Sequence, residues 1–427
     1  MEEKLIETEE MQERAAIIAA GDYDGIEESL GELSSLADTA GVLVVGKIIQ
    51  KRDKPHPRHY IGIGKLEELK ELVSETGADL VIADDELSPS QMGNLAEELN
   101  IKVLDRSLLI LEIFAKHAKT AEGAIQTELA RLKYDLSHLS GLGKSFSRQG
   151  GGGAGGGGAR RGLGETKLEL DRRVIRERIA ALSDQIDDIK KRRGAARAAR
   201  QKNQTPVIAI CGYTNSGKST LLNTLTDAGI LAEDKLFATL DTTVRRLRLP
   251  SGAECVLADT VGFIRKLPHA LIQAFSSTLE EVKPADVLLH VVDASEPDIE
   301  ARMEVVTRAL AGLSASAPVI VVFNKIDKLE DIRRLPLCKD ARARVEISAI
   351  NGAGLDALLF CVEEVLKSGK RRVNALVPYG SVGVLMAVRG RCDIISEEYV
   401  ENGIMVEAFG DEAALARLEP FVVVEAK

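Results

Sequence analysis

The stretch VIAICGYTNSGKSTLLNTLTDAG, Val207 to Gly229, restricts the fold more than any other part of the chain. An apolar run of strand length is followed by a turn with the spacing GxxxxGK[ST], GYTNSGKS (Gly212–Ser219), and then by a helical run. In that context glycine lets the backbone N–H groups of Gly212, Tyr213, Thr214, Asn215, Ser216 and Gly217 wrap phosphates at a helix N-terminus, where the helix dipole favours an anion. Lys218 is then placed to reach β- and γ-phosphates, and the Ser219 hydroxyl, next to Thr220, to bind magnesium. A strand leading into a phosphate loop belongs to an α/β domain with its chemistry at the carboxyl ends of the strands.

Further apolar strands are predicted at Glu254–Ala258, Val287–Val292, Val319–Phe323 and Arg344–Ile347, several of them separated by helical stretches. That alternation predicts a mainly parallel sheet covered on both faces. DTVG (Asp259, Thr260, Val261, Gly262) closes the first of these strands. An aspartate at such a strand end can hold magnesium through water, and the glycine N–H can touch a γ-phosphate. NKID closes the strand VIVVF, bringing Asn324, Lys325 and Asp327; the Asp327 carboxylate can accept both N1–H and the N2 amino group of guanine, a pair adenine does not present. ISAI then offers backbone N–H groups at Ser348, Ala349 and Ile350 to the base oxygen. P-loop, DxxG, NKxD and SA, in that order, select GTP over ATP and predict a GTP-hydrolysing domain over 203–370.

Net charge is −10, but it is unevenly spread. Residues 1–40 hold twelve acids against Lys4 and Arg14, whereas Ala159–Asn203 holds fourteen Lys/Arg against seven acids. The first part is expected to be an acidic extension of an N-terminal α/β domain covering 1–124, with strands at Gly41–Gln50 and Ala78–Asp85 and a helix between them at Lys65–Gly77. HYIGIGK (His59–Lys65) reads as a turn rather than a phosphate loop. The five cysteines show no metal-ligand or redox spacing and are expected to be reduced. With no export signal and no apolar run of bilayer length, the expected location is the cytoplasm.

Between the N-terminal domain and the GTP-hydrolysing domain lies a pair of apolar stripes. Ile125, Leu129, Leu132, Leu136 and Leu139 are spaced by alternating fours and threes, and Leu168, Ile175, Ile179, Leu182, Ile186 and Ile189 continue that rhythm. This is the seam of a coiled coil, so 125–202 is expected to fold back as an antiparallel helical hairpin. Half of the 24 residues from Gly141 to Gly164 are glycine, and this tract would form the tip. It carries Lys144, Arg148, Arg160 and Arg161 and no acid, which suits close approach to the phosphates of RNA. The tail, 371–427, reads as a small α+β domain.

FATLD (Phe237, Ala238, Thr239, Leu240, Asp241), the segment Leu104–Tyr134 and the tract SRQGGGG…GET resemble the HflX family of ribosome-associated GTPases from Val42 to the C-terminus. The resemblance implies that FATLD is switch I and that Thr239 binds magnesium and senses the γ-phosphate; by spacing, Thr242 and Thr243 are alternatives. It implies a slow GTP hydrolase with Lys218, Thr239 and Gly262 in catalytic roles and with Ser219, Thr239 and Asp259 (via water) around Mg2+. It further implies binding to the large ribosomal subunit in the GTP state and splitting or rescue of stalled or idle ribosomes, the hairpin tip meeting ribosomal RNA; the chain is expected to be a monomer. The chain departs from the family's pattern at Leu163 and at Thr242, where proline is usual. Phe263 follows DTVG where many small GTPases place the glutamine that orients water, so hydrolysis is expected to be slow until a ribosome assists. A ribosome assembly GTPase and a GTP-regulated scaffold for protein partners are the alternatives.

Overall fold

A computed structural model describes residues 12–21, 25–149, 158–202, 205–226, 236–237, 243–266, 285–313, 315–329, 335–336, 338, 341–368, 371–389, 392–410 and 415–423, with side chains except at 140–149, 158–168, 195–202, 371 and 393. The chain divides into two units. The first comprises Met1–Ile189, Glu233–Asp241 and Ile264–Ser277; the second comprises Lys190–Ala232, Thr242–Phe263 and Thr278–Lys427.

The first unit contains a four-stranded parallel sheet in the order β2-β1-β3-β4, formed by β1 (Arg14–Ala20), β2 (Leu43–Gln50), β3 (Leu80–Ala83) and β4 (Lys102–Asp105). Helices α1 (Ile26–Ala40), α2 (Ile63–Thr76), α3 (Pro89–Leu99) and α4 (Arg106–His117) connect and extend it. The expectation that 1–40 is an extension is corrected here: β1 is an interior strand with six of its seven residues buried. Its sequence, RAAIIAA, is too short and too alanine-rich to stand out. In α1 Glu27, Glu28 and Asp38 are exposed while Ile26, Leu30, Leu33, Leu36 and Ala37 are buried, and Glu32 turns inward to pair with the buried Arg106, so the charge count concealed an amphipathic helix.

Helices α5 (Ala121–Gln149) and α6 (Gly158–Lys202) form the hairpin. Leu129, Leu182 and Ile186 are buried in its seam, with Ile125, Leu132 and Ile179 packed against them. Arg178 pairs with Glu128 at 2.8 Å, and Arg172 Nη2 donates to the Leu139 carbonyl at 3.1 Å, so the helices run antiparallel. Part of the glycine tract is helical. Helix α5 continues through Gly141 and Gly143, and α6 begins at Gly158, leaving 150–157 outside the described residues. A glycine costs about 1 kcal/mol in a helix, and an already nucleated helix propagates through isolated ones.

The second unit is built on a six-stranded sheet, order β10-β9-β8-β5-β7-β6, from β5 (Val207–Gly212), β6 (Val244–Arg248), β7 (Glu254–Asp259), β8 (Val287–Asp293), β9 (Val319–Asn324) and β10 (Ala343–Glu346). All neighbours are parallel except β6, an antiparallel edge strand whose VRRLR exposes every residue but Leu247 and so lacks an apolar sequence signal. Helices α7 (Lys218–Thr226), α8 (Ile299–Gly312) and α9 (Leu355–Ser368) accompany the sheet. Ile208, Ile210, Leu257, Leu289, Val322 and Leu358 share one core, while Val292, Val321 and Phe323 belong to another. The C-terminal part is an antiparallel sheet, β11 (Arg371–Val377), β13 (Gly403–Gly410) and β12 (Asp393–Val400), with helix α10 (Val382–Val388). Leu415 and Leu418 close its core. No helix among the described residues is long and apolar enough to cross a membrane.

Leu182 is 1 % exposed and Leu170, on the same helix, 51 %. Leu182→Ala is expected to cost about 2–5 kcal/mol through the cavity it leaves, whereas Leu170→Ala should stay within about 0.5 kcal/mol. Hydrogen-exchange protection of α5 and α6 checks both.

Candidate active site

Four carboxyl strand ends of the second sheet bring the motifs together. β5 delivers the loop Gly212–Ser219, β7 delivers Asp259, β9 delivers Asn324 and Asp327, and β10 leads into Ser348–Ile350. Thr214, Ser216, Lys218, Asp259, Thr260, Asn324, Ser348 and Ala349 are all buried, and Ile350 is exposed.

Asn324 joins three of these segments. Its Nδ2 donates to the Ser216 carbonyl at 2.9 Å and its Oδ1 accepts from the Ala349 N–H at 2.9 Å. Lys325, held at φ 65°, donates from Nζ to the Asn215 carbonyl at 2.9 Å and pairs with Asp293 at 2.6 Å. The Ser348 hydroxyl donates to Asp327 Oδ1 at 2.5 Å. The N–H groups of Ser348 and Ala349 are therefore used within the protein, on the Ala353 carbonyl and on Asn324, where the sequence reading offered them to a base. Asp293, at the end of β8, carried no motif; only its position at a strand terminus could have marked it.

The phosphate loop is closely built. Gly217 has φ +90°, and a Cβ there would lie 2.2 Å from Asn324 Nδ2. At Gly262 a Cβ would meet the Thr214 side chain at 2.8 Å and Lys218 Nζ at 3.0 Å. Lys218 Nζ donates to the Tyr213 carbonyl at 2.6 Å. The backbone of the residue after DTVG is fastened to the loop: Phe263 N–H donates to the Gly212 carbonyl at 3.0 Å, and Thr214 N–H to the Phe263 carbonyl at 2.8 Å. The Thr260 hydroxyl donates to the Ile210 carbonyl at 2.7 Å. Phe263 is buried. The recess behind the loop holds His290, whose Nε2 has no hydrogen-bond partner, as is also true of Thr214 Oγ1 and Ser216 Oγ.

Burial dominates the electrostatics. It pushes the Lys218 amine down to about 8, opposed by the Asp259 charge. It pushes the Asp259 carboxyl up to about 6, opposed by Lys218 and by a Ser219 hydroxyl 3.1 Å from Oδ2. His290 is pushed down to about 4, by burial first and the Lys218 charge second. The orphaned hydroxyls of Thr214 and Ser216 and a desolvated ammonium fit a polyphosphate, and the oxygen pair Ser219–Asp259 fits a hard divalent cation.

Phe237 is the one described member of FATLD, and it lies in the first unit. Ala238, Thr239, Leu240, Asp241 and Thr242 lie outside the described residues; Thr243 is described, and its carbonyl accepts from the Asp259 N–H at 2.9 Å. Lys144 and Arg148 fall within α5, and Arg160 and Arg161 in the first turn of α6, with their side chains outside the description.

A parallel sheet with this loop and these strand ends defines a P-loop GTPase, and known proteins agree. Residues 207–325 match the family described as 50S ribosome-binding GTPase, residues 27–115 that described as GTP-binding GTPase N-terminal, and 117–200 GTP-binding GTPase Middle Region. The chain is 47 % identical to GTPase HflX of Lacrimispora saccharolytica over 97 % of each chain, and 43 % identical to GTPase HflX of Escherichia coli over 88 % of this chain and 87 % of that one. A solved GTP-binding protein from Sulfolobus solfataricus in complex with GDP is 26 % identical, covering 83 % of this chain and 99 % of its own, with a TM-score of 0.43. The chain belongs to the HflX GTPase family and is a GTP hydrolase.

Gly217→Ala is expected to break the Asn324–Ser216 link and to lower GTP affinity at least about tenfold, the cost of one buried hydrogen bond plus backbone strain. Titration with a fluorescent guanine nucleotide measures it.

Proposed function

We propose that this chain binds the large ribosomal subunit in its GTP state and splits or rescues stalled or idle ribosomes, with hydrolysis driving release. The observation that carries the reading is the composition of the first unit: the described part of FATLD and the residues just after DTVGF belong to the same unit as the helical hairpin. A change at the γ-phosphate therefore has a covalent route to the element proposed to meet ribosomal RNA through Lys144, Arg148, Arg160 and Arg161.

In this reading Lys218 holds the β- and γ-phosphates and Gly262 offers its N–H to the γ-phosphate. Asp327, its carboxylate oriented by Ser348, accepts the two guanine donors. Ser219, Asp259 through water, and Thr239 would hold Mg2+. When bound, that ion supplies charge neutralisation on the phosphate oxygens. Lys218, desolvated beforehand, gains more from a phosphate than a hydrated amine does, because the cost of its burial is already met by the fold. Phe263 packs against the loop and has no group to orient water, so ribosome-free turnover is slow. Ordering of the water-facing segments on the large subunit raises it.

Asp327→Asn removes one charged acceptor and is expected to weaken GTP binding by about ten- to a hundredfold, with little effect on ATP; competition binding reads the difference. The wider reading is tested by sedimenting mature ribosomes with the protein and a non-hydrolysable GTP analogue. Subunit separation supports it, together with GTP turnover raised at least about tenfold by large subunits. Binding without separation favours the assembly role, and equal turnover with and without subunits removes the proposal.

A further inference from the structure

Strand order in the first sheet reverses between β1 and β3. In open parallel sheets that reversal opens a crevice beyond the strands' carboxyl ends, where ligands seat. Here the ends are Ala20 and Ala83, and β3 runs directly into Asp84 and Asp85. An acidic crevice suits a cation, and the chain furnishes one. Lys266 Nζ lies 2.5 Å from Asp84 Oδ2 and 2.6 Å from Asp85 Oδ1. Beside it, Arg265 Nη1 comes within 3.8 Å of where a Cβ on Gly25, at the start of α1, would stand.

The two acids are held as a receptor rather than left as a surface cluster. Asp84 is fully buried; its Oδ1 accepts from Arg106 Nη1 at 2.7 Å and its Oδ2 from the Ser29 hydroxyl at 2.7 Å. Asp85 Oδ2 accepts from the Tyr60 hydroxyl at 2.5 Å, and that hydroxyl accepts from the Ala20 N–H at 3.0 Å. The same unit holds a second piece of the nucleotide-sensing sequence: Phe237, buried at φ 57°, stands edge-on to Phe114 of α4 with centroids 4.6 Å apart.

We infer that the acidic crevice of the N-terminal sheet is the receptor for the segment after DTVGF, and that seating Lys266 there sets the preference of the site for GTP over GDP. Lys266 stands four residues beyond Gly262, and the chain passes from the second unit to the first between Phe263 and Ile264. The chain leaving Gly262 is thus held at two points, by the backbone bonds of Phe263 to the phosphate loop and by Lys266 in the crevice. Ordered beforehand, it loses less conformational entropy on meeting a γ-phosphate. Linkage is reciprocal, so loosening Lys266 must weaken GTP relative to GDP, and GTP must tighten the seat of Lys266. The inference rests on the reading that Gly262 meets the γ-phosphate.

The test uses the full chain without ribosomes, in the variants Lys266→Glu, Asp85→Lys and the two combined. Asp85 is chosen over Asp84 because it is partly exposed whereas Asp84 is fully buried. The GTP-to-GDP affinity ratio, from competition against a fluorescent guanine nucleotide, is expected to fall at least about fivefold in each single variant. In the charge-swapped double variant it should return to within about twofold of the original. Unchanged ratios, equal losses for GTP and GDP, or a double variant no better than the singles overturn the inference. Gly262→Ala separates the layers. If the ratio ignores Gly262→Ala, the γ-phosphate reading fails and the inference with it; if it responds to Gly262→Ala but not to Lys266 and Asp85, the ion pair alone is at fault.

Discussion

Everything at the nucleotide end of the second unit depends on the carboxamide of Asn324. A buried amide must have both its oxygen and its nitrogen paired or suffer the full cost of desolvation, and this one finds its partners on two other segments, the Ser216 carbonyl and the Ala349 N–H. Neither contact is local in sequence. The phosphate loop and the Ser348–Ile350 turn are consequently held to the end of β9, and Gly217 is needed where it is because any side chain there would collide with that amide. Lys325 repeats the device one residue on, reaching Asn215 and Asp293.

The same compactness puts two opposite charges out of water. Lys218 and Asp259 are both buried, and burial shifts each toward its neutral form while the other pulls it back. Such a pair is weak support for the fold by itself. Its sense is chemical: a cation aimed by a glycine-lined loop and an acid at a strand end are the complements of a polyphosphate and a hard metal ion, and strain of this kind is concentrated where ligands bind. The hydroxyls of Thr214 and Ser216, buried and unpartnered, belong to the same pattern.

Much of the site was legible because its residues come in short runs whose spacing reflects backbone geometry. GYTNSGKS, DTVG, NKID and ISAI lie at the strand ends where their context placed them. Asp293 and His290 were not legible, since a lone residue at the end of an apolar strand has no spacing to read. The hairpin seam was visible in the steps of four and three at Leu129, Leu132, Leu182 and Ile186. That α5 runs on through Gly141 and Gly143 was not visible, because composition there registers the local cost of helix and not the cooperativity that overrides it.

Sequence alone determined which ligand class the chain can hold and that two long helices fold back on each other, because both follow from periodicity and from contacts within a dozen residues. Only tertiary structure decided that Arg14–Ala20 is an interior strand, that β6 closes the second sheet's edge, and that Lys266 seats on Asp84 and Asp85 some 181 to 182 positions away. Parallel pairing and long-range ion pairs join residues that chain order keeps apart. Their energy comes from burial after the sheet has formed, and no local pattern of residue types records it.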